Sequence, residues 1–149
     1  MEQQGEIIAV CVSEKKGVAK VDVGQRKVIE NFGLEGDAHG AQNFNRQVSL
    51  ISADKIIEFE KTAGIKVARG AFGENFIATG IDFATLPLGT KFLLGDGVEL
   101  ELTQIGKECH DGCSIKAAVG KCIMPKEGVF CKVLKGGNVK VGDKITVLS

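Results

Sequence analysis

At 149 residues, with 19 basic and 19 acidic side chains that cancel, the chain has the size of one ordinary domain, able to bury roughly 70% of its unfolded surface. Neutral charge and the absence of Trp and Tyr remove the electrostatic footprint and most of the stacking platform that nucleic-acid binding uses. Five cysteines, an odd number, argue against a disulfide framework and for thiols kept reduced for chemistry, metal or burial.

The first segment, MEQQGEIIAVCVSEKKG, has an acidic start and an apolar run too short for a signal-peptide core or a membrane span, so a cytoplasmic protein is expected. EIIAVCVS alternates in period two, and after the turn EKKG the run KGVAKVDV does the same, predicting two strands. GLEGDAHG, residues 33 to 40, is a turn-rich loop that would present Asp37 and His39 at a strand end; glycines placed for geometry alone are the competing explanation. It lacks GK[ST] and G-x-G-x-x-G, which excludes those two kinds of nucleotide loop.

After the strand-like RQVSLIS, Ser52 is placed to cap a helix over roughly 53 to 62, with Asp54 in its positive first turn and Gly64 at its end. KFLLGDGVELELTQI predicts a hairpin around Gly95, Asp96 and Gly97, with Val98, Leu100 and Leu102 on one face and Glu99 and Glu101 on the other. Ile115, Ala118 and Val119 share a face at helical spacing, which predicts a short helical turn around 114 to 119. GVFCKVLKGGNVKVGDKITVLS returns to short Val- and Ile-rich strands between Gly turns. With no internal repeat and only Pro87 and Pro125, both in loops, residues 1 to 149 read as one mainly β domain, a closed or nearly closed barrel with one or two short helices.

The chemistry-bearing cluster is TQIGKECHDGCSIK, residues 103 to 116, where Cys109, His110, Asp111 and Cys113 gather at a strand exit. Zinc prefers two close ligand pairs such as C-x2-C, whereas Cys109 and Cys113 are spaced C-x3-C; an iron–sulfur triad of the C-x3-C-x2-C type would need a cysteine where Lys116 stands. Cys11 and Cys131 lie in strand patterns and read as packed thiols, and Cys113 and Cys122 are either buried or resolving thiols. Cys109 follows Gly106 at the strand exit; Lys107 and His110 favour its thiolate, while Glu108 and Asp111 oppose it. The chain holds three arginines, Arg26, Arg46 and Arg69, whose planar forks suit phosphate or carboxylate, with a solvated surface role as the alternative.

Taken in order, GLEGDAHG, RQVSLIS, GAFGENFIATGIDFATLPLGTKFLLGDGVELELTQIGKECH and MPKEGVFCKVLKGGNVKVGDKI resemble the MOSC family, named for the C-terminal domain of molybdenum cofactor sulfurases, in a small stand-alone form of bacterial type. The most specific pieces are F-G-E-N-F, T-Q-x-x-K-x-C and G-x-V-x-V-G-D-x-I. The resemblance implies a β-barrel-like fold, a molybdopterin-bound molybdenum cofactor, possible in sulfurated form, and a reactive cysteine at Cys109 that carries sulfur as a persulfide or ligates molybdenum. It implies Asp37, His39, Arg46, Glu74, Asn75 and Thr103 as pocket residues, with Lys107 and His110 beside the cysteine and Arg46 and Arg69 toward the cofactor's phosphate. Zinc and iron–sulfur clusters are not expected. Lys107-Glu108 departs from the Arg or Pro that many members place before the cysteine.

Three functions follow. The first is a cofactor-binding and sulfur-transfer module fed by an external sulfur donor. The second is a molybdenum-dependent reductase of N-hydroxylated compounds served by a separate electron-transfer protein. The third is a pterin-free redox or metal-binding thiol protein using Cys109, Cys113 and Cys122. No nucleic-acid or membrane partner is expected.

Overall fold

The computed structural model describes residues 3–15, 19–38, 40–95, 97–106 and 128–148. Within them the strands are β1 (Gln4–Val12), β2 (Val21–Asp22), β3 (Gln25–Ile29), β4 (Gly33–Leu34), β5 (Val48–Ser52), β6 (Phe76–Ala78), β7 (Lys91–Leu94), β8 (Val98–Ile105), β9 (Val129–Lys135), β10 (Gly137–Lys140) and β11 (Lys144–Leu148). Helix α1 (Ala53–Ala63) follows β5, and a 3-10 turn, Phe83–Thr85, precedes β7.

The protein is mainly β, as the alternation predicts. Strands β11, β7, β8, β9, β5, β6 and β1 pair in that order, and β1 pairs back onto β11, closing a seven-strand barrel. Closure leaves no free edge along the ring, which removes the template for edge-to-edge aggregation. β2 extends from β1, and β10, β3 and β4 form a separate three-stranded sheet. The pairings are antiparallel except β5 with β6, where α1 lies in the crossover that a parallel pair requires.

Two apolar layers explain the burial pattern. Val10, Leu50, Phe76, Phe92, Leu100 and Cys131 fill the barrel interior. Ala9, Cys11, Ile51, Ile77 and Phe130 point to the opposite face, where Phe59 of α1 and Phe72 of the following loop cover them. Phe59 and Phe72 meet edge to face at 5.1 Å and 89°. Because both faces of β5 are covered, VSLIS is buried throughout.

The hairpin forms as its pattern dictates: Val98, Leu100 and Leu102 are buried, Glu99 and Glu101 half-buried, and Leu94 pairs with Val98. Helix α1 ends at Gly64 in the left-handed region at φ 70°, whose N–H donates to the Glu60 carbonyl at 2.9 Å. Two expectations change. Ser52 makes no side-chain cap hydrogen bond, because it is still the last residue of β5, paired with Ala78 and buried. KGVAKVDV yields only the two-residue β2 among its described residues, since the Lys20 N–H leaves the β1 ladder to donate to Gly70 at 2.8 Å and its side chain turns inward. The expected helical turn at 114 to 119 lies outside the described residues.

Candidate functional site

On the outer wall, three sequence-distant loops are knitted together by buried polar groups. Asp37, from the Gly-rich loop, is buried rather than presented to solvent. Its Oδ1 accepts from Lys20 Nζ at 2.6 Å and from the Ser13 backbone N–H at 3.0 Å, and its Oδ2 accepts from Asn75 Nδ2 at 3.1 Å. A buried carboxylate is tolerated only when a cation and donors replace its water, and Asp37 has both.

Asn75 extends this network into the barrel. Its Nδ2 also donates to the Cys11 carbonyl at 2.9 Å, its Oδ1 accepts from the Ser49 N–H at 2.9 Å, and its own N–H reaches the Ser49 carbonyl at 3.1 Å. The side chain thus acts as an extra ladder rung where the β5–β6 pair begins. Glu74, its neighbour, folds back to accept from the Gly70 and Phe72 N–H groups, each at 3.0 Å. Complete burial pushes the Glu74 carboxyl up to about 7, against the pull of those N–H groups and of Lys20. Gly70 sits at φ +89°, and a Cβ there would collide with the Lys20 carbonyl, so the loop and the Lys20 backbone meet in a contact only glycine permits.

A second group lies where β8 and β9 part. The Arg46 guanidinium lies 5.2 Å from the Phe44 ring centroid and 5.9 Å from that of Phe130. Thr103 Oγ1 donates to the Asn45 carbonyl and lies 3.1 Å from the Phe130 carbonyl. Beyond it, the Gly106 N–H donates to the Gly128 carbonyl at 2.7 Å, extending the β8–β9 pairing by one hydrogen bond. Arg46 forms no ion pair with a described carboxylate, whereas Arg69 is engaged: its Nη1 donates to the Ile8 carbonyl at 2.7 Å and faces Asp22 at 3.5 Å.

The structure therefore brings Asp37, Glu74 and Asn75 into one buried neighbourhood, places Arg46 and Thr103 together at the β8 exit, and sets Arg69 against β1. His39, Lys107, Cys109, His110, Cys113 and Cys122 lie outside the described residues. Cys11 and Cys131 are buried free thiols, and burial raises the pKa of both, with Glu74 adding to the effect at Cys11. Sequence reasoning missed Lys20, Ser13 and Ser49; nothing in their local pattern separates them from surface residues. Among the described residues no cluster of three or more His, Cys, Asp or Glu is arranged to hold a metal, and no helix is long and apolar enough to cross a membrane.

Structural relatives share this architecture. YuaD from Bacillus subtilis superposes with a TM-score of 0.81 at 19% identity, over 99% of this chain and 97% of its own. YiiM from Geobacillus stearothermophilus gives 0.74 at 20% identity, over 97% and 75%, and YiiM from Escherichia coli gives 0.68 at 17%, over 100% and 70%. Sequence comparison with curated proteins finds no match. The MOSC domain profile matches residues 35–146, spanning the Gly-rich loop, the Glu74–Asn75 motif, the β8 exit and the last barrel strands, and the chain belongs to the MOSC domain family.

Proposed function

We propose that this MOSC domain binds a molybdenum cofactor and that Cys109 is its working thiol, carrying sulfur as a persulfide. The observation that carries the reading is Arg46, a half-buried guanidinium held by two aromatic rings at the β8 exit with no described carboxylate paired to it. Such a group fits a phosphate monoester, because the rings fix its plane while its N–H fork remains open to a bidentate oxyanion. Arg69 fits less well, since part of its fork is already spent on Ile8 and Asp22. Cys109 follows Gly106 by three residues, a reach of at most about 11 Å.

The buried network gives the other motif residues positioning work. Asp37, Asn75 and Glu74 hold the backbone at Ser13 and Gly70 in register, and Thr103 ties the Asn45 carbonyl beside Arg46. When bound, the cofactor supplies molybdenum redox chemistry and a metal that soft thiolate ligates well. The protein's own step is sulfur capture. The Cys109 thiolate attacks the outer sulfur of a donor persulfide, forming Cys109–S–SH as the donor leaves as thiolate. Lys107 and His110 favour the attacking thiolate electrostatically, and Cys113 or Cys122 is positioned in sequence to resolve the product.

Native mass spectrometry with metal analysis, on protein from a host that makes the cofactor, tests this reading. Molybdenum and pterin are expected in similar amounts, with both lost or sharply reduced in Cys109→Ser. Stoichiometric zinc on the cysteines would instead support the pterin-free thiol protein. Loaded protein that reduces N-hydroxylated compounds with an added electron donor, and takes up no persulfide, would favour the reductase.

A further inference from the structure

The three-stranded sheet carries a feature that the cofactor reading does not use. Arg26, the second residue of β3, borders two adjoining cavities of about 570 and 820 Å³, each of a size that holds a small ligand. Its Nε is buried and has no hydrogen-bond partner, and the guanidinium forms no ion pair with a described residue. Buried polar nitrogens are nearly always satisfied, so an arginine that lines two cavities and spends none of its fork on a described neighbour has donor capacity left for an acceptor.

The two cavities differ in chemistry. The smaller is lined by Val12, Ala19, Val21 and Val23, of which Val21 is 65% exposed, together with Ser13, Glu14 and Lys15. The larger is polar, with Gln25, Lys27, Asn138 and Lys140 around Arg26. Three acids limit the charge the site will take, Glu14 at the smaller cavity among them. Glu35 borders both cavities and is exposed, and Asp143 borders the larger one but is committed through Oδ2 to the Lys140 N–H at 3.0 Å. Lys15, Arg26, Lys27 and Lys140 are set against Glu14, Glu35 and Asp143, so the lining carries a small positive excess that suits a singly charged anion, whereas a dianion would meet twice the repulsion from each acid. None of the residues of the Arg46 group borders either cavity.

We propose that Arg26 is the anchor of a separate ligand site for a small organic monocarboxylate, its carboxylate on the guanidinium and its apolar body against the valines. Arginine's planar fork matches a carboxylate bidentately, and the valine wall supplies the apolar contact that a bare anion cannot use. Glu14 and Glu35 then set selectivity, weakening binding of any more highly charged competitor.

Titration of the isotope-labelled protein with benzoate, followed by backbone amide shifts, tests the site, with benzamide as the uncharged isostere and acetate as the carboxylate without a body. Benzoate is expected to saturate shifts at Val23, Arg26 and Asn138, with at least tenfold weaker binding of both benzamide and acetate. Arg26→Gln should weaken benzoate at least tenfold, Arg46→Gln should leave it unchanged, and Glu35→Gln should tighten it. Arg26→Gln should also leave thermal stability unchanged or raised, since the replaced nitrogen has no partner. Benzoate binding that persists in Arg26→Gln, that follows Arg46 instead, or that benzamide matches would overturn the assignment, as would a failure of benzoate to saturate.

Discussion

Lys20 Nζ lies 2.6 Å from Asp37 Oδ1 with both side chains buried, so two loops separated by seventeen residues are joined by a charge pair sealed from water. Removing one partner strands the other charge in the interior, which costs about 3–5 kcal/mol in comparable pairs. Lys20→Met is therefore expected to lose stability on that scale in urea denaturation. The double change Lys20→Met, Asp37→Leu should lose less than the sum of the single changes, because it strands neither charge. A Lys20→Met protein within about 0.5 kcal/mol of the parent would show that Asp37 is satisfied by Ser13 and Asn75 alone.

Asn75 offers a sharper test of the same network, because its amide donates on one side and accepts on the other. Asn75→Asp keeps the shape but turns two donated hydrogen bonds into repulsion against the Cys11 carbonyl and the Asp37 carboxylate. It should be more destabilising than Asn75→Ala, contrary to the order expected from side-chain volume alone. Equal losses in a denaturant series would mean that the amide serves only to fill space.

Glu74 should leave a signature in the pH dependence of stability. Its carboxyl is pushed up from an ordinary value of 4.5 to about 7 in the folded state, so the folded state holds the proton more tightly than the unfolded chain. The resulting stabilisation is fully present below about 4.5 and is lost as pH rises toward 7, an effect on the order of 3 kcal/mol. Urea midpoints should accordingly rise from pH 8 to pH 5, and Glu74→Gln should flatten that slope. A parent and variant with parallel pH profiles would place the titration elsewhere.

The parts of this fold that were legible in the sequence are those decided by neighbours along the chain. Val98, Leu100 and Leu102 declare their face by alternation, and Gly64 ends α1 because only a residue at ease with positive φ completes the cap. The closure of β1 on β11 and the parallel β5–β6 pair were not legible, since each joins segments whose local patterns fit several partners. At the site, the motif indicated that Asp37, Glu74 and Asn75 matter, but not that they are buried. Their burial depends on Lys20, whose position after Ala19 looks like any solvated lysine until Gly70 is packed against its backbone.

The thiols should separate by environment. Cys11 and Cys131 are fully buried and their pKa values are raised, so at neutral pH they are protonated and out of reach of reagent. Limiting iodoacetamide on the native protein should modify neither until denaturant is added. Cys109 is expected to react first and to take up persulfide from a donor in the same order. Early labelling of Cys131 would mean that the barrel opens on the timescale of the experiment.

Arg46 separates ligand binding from folding. Its guanidinium rests on Phe44 and Phe130 without a described ion pair, and a cation–π contact at a half-buried position contributes only about 0.5–1 kcal/mol. Arg46→Gln should therefore cost no more than about that in stability, yet it removes the planar fork proposed to hold the cofactor's phosphate. Arg46→Lys keeps the charge but loses the fork and should restore retention only partly. Molybdenum and pterin content of the purified proteins, measured beside their denaturation midpoints, should fall in the order parent, Lys variant, Gln variant, while the midpoints stay close. Retention equal in all three would move the phosphate away from Arg46, and a large loss of stability in Arg46→Gln would make the residue structural.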